Sequence, residues 1–161
     1  MVFSHFDKSN TETLISLHDC IAESSYFENG SLCFEFSDGF WVLPEHPENC
    51  FGSTVKTDLA KAEFPLEKCN GFDVGITVYL FKDSMFKKVI RTELSIEELL
   101  ERINRKKCKL EFLYQYTDGF ERLLHCELIS GKRPYRQECW IKLPSPKVLF
   151  HWNNLLKDRT W

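Results

Sequence analysis

Only one stretch of this chain carries helical periodicity, and that scarcity limits what it can fold into. Ser95-Ile96-Glu97-Glu98 reads as a capping box, with the Ser95 hydroxyl positioned to accept from the Glu98 amide. Ile96, Leu99, Leu100 and Ile103 fall at i, i+3, i+4 and i+7, a single apolar stripe. Leu94 and Leu99 hold the staple positions, and Glu98–Arg102 and Glu101–Arg105 are favourable i, i+4 pairs. Acidic residues open the segment and Arg105, Lys106 and Lys107 close it, as the helix dipole prefers. The pattern predicts a helix over 95–107.

The other patterned segments alternate with a period of two and are joined by short links. Parallel strands need long, usually helical crossovers. A chain with one helix is therefore expected to build an antiparallel sheet. Expected strands are Ile21 to Phe27, Leu32 to Phe36, Phe40 to Leu43, a weak edge strand from Thr54 to Phe64, and Val74 to Phe81. Met85 to Arg91, Lys109 to Tyr116, Phe120 to Ile129, Gln137 to Leu143 and Val148 to Trp152 follow. Asn29-Gly30 is a strong hairpin turn, because both residues tolerate positive φ. Residues 44–53 and 65–71 read as loops. The expected fold is α+β and mostly β: a single antiparallel curled sheet or partial barrel of about nine strands, with the helix covering one opening. It forms one domain over 1–161, with 1–13 as a loose N-terminal arm.

Two heptads echo each other 80 positions apart, FEFSDGF from Phe34 and YQYTDGF from Tyr114. Agreement outside them is poor: Trp41 faces Glu121, and the first half has no counterpart of the helix. Duplication is therefore rejected. Asp before Gly suits a tight turn in both places, since a short carboxylate bonds nearby amides and Gly takes the left-handed residue. Both heptads are expected to be hairpins, pairing strands within 30–43 and within 109–129. A shared carboxylate site at Asp38 and Asp118 is disfavoured.

With 43% hydrophobic residues the chain has material for a core, and disorder is excluded. No run approaches the ~20 apolar residues of a membrane span, and MVFSHFDKSNTE lacks the features of a secretory signal. A cytoplasmic chain with no membrane association is expected. The seven cysteines are widely spaced and odd in number, which favours reduced thiols. Cys33, Cys126 and Cys139 stand at alternating strand positions and read as small core residues. Residues 1–80 carry 4 Lys/Arg against 13 Asp/Glu, a balance of −9; residues 81–161 carry 17 against 11, a balance of +6. Opposite halves can attract each other within the fold or form two charged faces.

No phosphate loop, His-Glu-x-x-His, EF-hand loop or nucleophile elbow is present. His46-x3-Cys50 has a metal-like gap but no second ligand pair, so no metal is expected. His18-Asp19-Cys20 contains the residue types of an activated nucleophile, yet consecutive strand residues point to opposite faces. Basic residues cluster at Arg102, Arg105, Lys106, Lys107 and Lys109 and again at Lys132, Arg133 and Arg136, with Tyr135 and Trp140 nearby. Such clusters suit phosphates and base stacking, although a sequence pI near 6.0 argues against nucleic acid as the main partner.

The run SLHDCIAESSYFENGSLCFEFSDGFWV, with Leu17-His18-Asp19, an Asn-Gly turn and an apolar strand, resembles small bacterial proteins that open on a similar element. Some of these look like the immunity proteins that neutralise polymorphic toxins. That pattern often has Ala after His-Asp, where this chain has Cys20. The resemblance implies a non-catalytic binding role and assigns no residue. The leading expectation is a bacterial, immunity-like interaction protein that engages a protein partner through one charged face. Candidate binding residues are His18, Asp19, Arg105, Lys106, Lys107, Lys132, Arg133 and Arg136. No catalytic residue and no cofactor are expected, and the oligomeric state is left open. The alternatives are a small-ligand-binding β-barrel with an aromatic interior, a single-stranded nucleic-acid binder, and a hydrolase using His18 and Asp19.

Overall fold

A computed structural model describes residues 3–6, 11–66, 75–83 and 89–161. In chain order its strands are β1 (His5–Phe6), β2 (Ile15–Ser16), β3 (Cys20–Ala22), β4 (Ser24–Glu28), β5 (Ser31–Phe36), β6 (Trp41–Val42), β7 (Val55–Thr57) and β8 (Ala60–Pro65). Then come β9 (Thr77–Asp83), β10 (Val89–Leu94), helix α1 (Ile96–Asn104), β11 (Cys108–Thr117), β12 (Arg122–Ser130), β13 (Arg136–Leu143), β14 (Leu149–Trp152) and β15 (Leu155–Thr160).

The fold is mostly β, with α1 the one α-helix among the described residues and every strand pairing antiparallel. The expected single sheet of nine strands is corrected to three open sheets, none closed into a barrel. A five-stranded sheet runs β1-β14-β8-β5-β4, a six-stranded sheet β10-β9-β13-β12-β11-β3, and a four-stranded sheet β15-β7-β6-β2. The physical reason is that the chain changes sheet at corners where two continuous strands and one hairpin were expected. Ile21 to Phe27 is not one strand: β3 pairs with β11, and after Glu23 the chain enters the five-stranded sheet as β4. Thr54 to Phe64 likewise splits into β7 and β8, both interior strands and not an edge.

The first heptad makes the same kind of corner. β5 pairs with β4 and β8, whereas β6 pairs with β2 and β7, so FEFSDGF is no hairpin. Gly39 has φ +70, and a Cβ there would collide with the Thr57 and Asp58 carbonyls. Phe40 and Thr57 lock the corner, with Thr57 N donating to Phe40 O at 2.8 Å and Phe40 N to Thr57 Oγ1 at 3.0 Å. The second heptad is the hairpin expected, β11 pairing with β12 from Cys108↔Ser130 to Thr117↔Arg122. The Asn29-Gly30 hairpin is also found, with φ of 50 and 79 at its two turn residues. β9 and β10 pair as expected, although the start of that second strand, Met85 to Lys88, lies outside the described residues.

The helix is shorter than the 95–107 expected. Ser95 caps it by accepting from Glu98 N at 3.1 Å. At the other end Lys106 adopts φ 56, with Lys106 N bonding Ile103 O and Lys107 N bonding Arg102 O, both at 2.9 Å. That is the double bond of a Schellman stop, made without glycine. Ile96, Leu99, Leu100 and Ile103 are buried as the stripe requires. Asn104 exchanges two hydrogen bonds with the backbone of Ser25, which satisfies part of the exposed edge of β4.

Aromatic rings form the core between the sheets. Phe34 and Phe36 of β5 meet Phe112 of β11 edge-on at 5.2 and 5.4 Å, joining the five- and six-stranded sheets. Phe40 packs on Phe150 at 5.1 Å. Cys33, Cys126 and Cys139 are fully buried core residues, as their alternation implied. The charge asymmetry is partly spent inside the fold, through Glu23–Lys109, Glu12–Arg122 and Asp38–Arg159 pairs between the halves. Of the expected arm, His5–Phe6 adds a strand to β14, and Glu12 begins a 3-10 turn that is tied to Arg122.

Candidate binding surface

One face of the six-stranded sheet lies on the core and the other is open. A β-bulge between Phe112 and Tyr114 decides what the open face carries. Leu110 and Phe112 point inward, so unbroken alternation would also bury Tyr114 and Tyr116. The extra residue reverses the phase, and both tyrosines emerge half-exposed. Tyr114 then stands opposite His125, His125 opposite Trp140, and Trp140 opposite Tyr79. His125 stacks on Trp140 at 4.4 Å, and the Arg91 guanidinium lies 4.9 Å over the Tyr79 ring. Four strands thus contribute one cross-strand row of rings.

The flanking rows are charged but internally paired. Glu111, Glu127 and Glu138 form one row across β11, β12 and β13. Arg136 bridges Glu111 and Glu127, and the Glu127 bond foremost holds its guanidinium in the charged form. Glu138 accepts from Trp140 Nε1 at 2.6 Å and lies 3.2 Å from His125 Nε2. On the other side Lys142 pairs with Glu121 at 2.7 Å. The carboxylates of these two rows therefore already hold partners.

At its β11 end the aromatic row leaves the sheet. His18 meets Tyr114 edge-on at 5.2 Å, Trp161 stacks on His18 at 5.7 Å, and Trp41 lies 5.4 Å from Trp161. Phe120, at the tip of the β11–β12 hairpin, is 72% exposed and Trp161 67%. His18, Tyr114 and Trp161 border a cleft of about 550 Å³ whose walls include Ile15, Leu17, Leu43, Phe112 and Gln115. Glu12 also lines it, and both of its carboxylate oxygens accept from Arg122, itself 3% exposed, at 3.1 and 3.3 Å. Arg122 also reaches Gln115 Oε1 and Pro146 O, each at 3.2 Å, while Glu12 Oε2 accepts from Val148 N.

His18 and Asp19 sit in a turn between β2 and β3, with Asp19 at φ 57, and so escape the strand geometry that would separate them. Asp19 Oδ2 lies 3.1 Å from His18 Nδ1 but off the line of a hydrogen bond. The third member fails chemically. Burial pushes the Cys20 thiol up to about 12, and its sulfur donates toward the Ser16 and His18 carbonyls. A protonated, buried thiol is no nucleophile.

The two basic clusters come together at the opposite end of the strands, because Cys108 pairs with Ser130 and brings the end of α1 beside the β12–β13 tip. Arg105 is paired with Glu101, and Arg136 belongs to the glutamate row. Lys106, Lys107, Lys132 and Arg133 have no ion pair among the described residues. Tyr135 is exposed at the same tip, whereas Trp140 belongs to the aromatic row. The candidate residues therefore form two separate groups, His18 with Asp19 at one end and the cations at the other.

The remaining candidates resolve into structural roles. Asp38 pairs with Lys56 and Arg159, and the Lys56 bond above all holds its carboxyl below the usual range. Asp118 accepts from the amides of Glu121 and Phe120, which lower its pKa in the same order. Its place at a hairpin tip is remote in function from the Asp38 corner. His46 is buried, with Nδ1 accepting from Glu48 N and Nε2 beside the Thr11 hydroxyl, while Cys50 is exposed. The residues missed from sequence were Tyr79, His125 and Trp161. The first two are visible as outward positions of alternating strands, but their alignment with Tyr114 depends on a bulge that no local pattern marks.

The chain matches no protein-family model, no curated protein and no solved structure.

Proposed function

We propose that this chain is a non-catalytic protein-binding module, immunity-like in role, that engages a partner protein through the aromatic end of its open sheet. One observation carries the reading: Tyr114, Tyr116, Phe120 and Trp161 stand exposed at the end of a sheet face on which Glu111, Glu121 and Glu127 are already paired. Clustered, exposed tyrosine, tryptophan and phenylalanine are what protein interfaces use as anchors, with charge pairs forming the rim. The docking force is therefore aromatic burial, in place of the single charged face inferred from composition. A photo-crosslinking residue placed at Tyr116 or Phe120, in the cells that make the protein, is expected to capture one discrete partner. The same residue placed at Tyr135 is expected to capture none. Adducts at Tyr135 alone would refute the assignment of the surface.

The cleft favours a second reading, a small-ligand site at the sheet end in place of a barrel interior. Its volume lies within the range of ligand pockets, and its walls are largely apolar with Gln115 as a polar group. Tryptophan fluorescence would report on it through Trp161. If apolar ring compounds leave that emission unchanged at millimolar concentration, this reading fails.

A further inference from the structure

The strands that end these sheets are protected in different ways, with one exception. β1 and β2 are two residues long and β3 three, β4 is covered by Asn104, and β15 breaks register between Leu156 and Thr160. Short, covered or irregular edges are the usual defences against edge-to-edge pairing. Among the described residues β10 shows none of them. It ends the six-stranded sheet and pairs with β9 through six consecutive residues without a bulge. Among the described residues nothing pairs with its outer side. Val89 is 63% and Ile90 52% exposed.

Its sequence is self-complementary. Ile90-Arg91-Thr92-Glu93-Leu94 reads apolar, cationic, threonine, anionic, apolar, and so inverts its charge about Thr92. We propose that β10 is a homodimerisation edge, pairing antiparallel with β10 of a second copy about a two-fold axis through Thr92. In that register Arg91 stands opposite Glu93 of the partner subunit, and Ile90 opposite Leu94 of the partner subunit. Thr92 meets its own counterpart. The two-fold makes each charged and each apolar pair occur twice, as an isologous interface requires. Charges on an edge strand ordinarily discourage pairing, but here the opposite signs lie two residues apart and attract in this one register.

The faces agree with this arrangement. Arg91 pairs with Phe81 and Glu93 with Tyr79, so both charged side chains stand on the open face. Thr92 pairs with Leu80 and Leu94 with Val78, both inward-facing and buried. The dimer therefore places its ion pairs in solvent and its Ile–Leu pairs on the core side, and joins two six-stranded sheets into one. This edge lies at the far side of the sheet from β11, so it goes beyond the partner surface proposed above and stands or falls separately.

Charge reversal tests it. Sedimentation velocity is expected to show a concentration-dependent dimer for the natural chain. Arg91→Glu and Glu93→Arg should each weaken it by about tenfold or more, since two attractive cross-strand pairs become repulsive. An equimolar mixture of the two variants should recover a dimer, because each supplies the charges that the other lacks, and the double reversal should dimerise alone. Circular dichroism on each variant separates misfolding from lost association. A natural chain that stays monomeric at ~1 mM overturns the proposal. So does a dimer indifferent to both reversals, or a mixture that fails to recover.

Discussion

Replacing Glu12 by alanine strips a buried guanidinium of the one carboxylate paired with it among the described residues. Arg122 is 3% exposed, and both carboxylate oxygens of Glu12 accept from its Nη2. After the substitution only Gln115 Oε1 and the Pro146 carbonyl remain. Removing one member of a buried pair leaves an uncompensated charge, at a cost of about 3–5 kcal/mol. The Val148 amide loses its acceptor as well, so about 3 kcal/mol is a conservative expectation. Arg122→Met should cost less, about 1–2 kcal/mol, because the Glu12 side chain is 29% exposed and water can take over part of the lost bonding. The double variant should be less destabilised than the sum, with a coupling of about 1 kcal/mol or more. Urea unfolding of the four proteins closes the cycle. If Glu12→Ala costs less than Arg122→Met, or if the two costs simply add, the view of this pair as a buried clamp is wrong.

Gly39→Ala should cost about 2–4 kcal/mol, combining left-handed strain with a collision against the Thr57 and Asp58 carbonyls. Gly119→Ala, at φ +92 in open space, should cost about 1 kcal/mol; equal losses in urea would refute the corner argument. Tyr116→Ala and Phe120→Ala should change stability by less than about 0.5 kcal/mol while weakening partner capture about tenfold or more. Burial and the nearby Lys61 hold the His151 pKa below its ordinary value despite the Glu63 carboxylate. The unfolded chain therefore binds the extra proton first, and His151 contributes stability above about pH 6.5 that is lost as pH falls through its depressed folded value. Urea midpoints between neutral and mildly acidic pH should show this slope, and His151→Gln should flatten it.

What could be read from sequence was local. The Ser95 cap, the apolar stripe of α1 and the Asn29-Gly30 turn depend on residues within a few positions of one another, and each is found in the structure. The two heptads show where such reading stops. Both contain Asp-Gly in a turn, yet one is a hairpin and the other a corner, because Thr57 lies against Gly39 and nothing equivalent lies against Gly119. Sheet membership is a property of what a strand meets, and β3, β6 and β7 are too short to announce it. The candidate site was legible in part. His18, Asp19, Tyr114 and Trp140 stood out as residues, but the row that joins His18 to Tyr79 exists only after a bulge has turned Tyr114 outward.

The order of strands in the three sheets also bears on how the chain reaches its fold. All of the six-stranded sheet except β3 comes from one continuous stretch, residues 77–143, whose hairpins and helix are close in sequence. The other two sheets are stitched from both ends of the chain, β14 lying between β1 and β8 and β15 beside β7. Distant pairings carry a larger loop-closure penalty and form later than local ones. During synthesis the early strands β5 and β8 emerge with Phe34, Phe36 and Phe64 and must wait for Phe112 and Phe150 to cover them. β14, late in the sequence, fills the gap between β1 and β8, so the sheet that holds β1 is expected to wait for residues 149–152 rather than to assemble in the order of the chain.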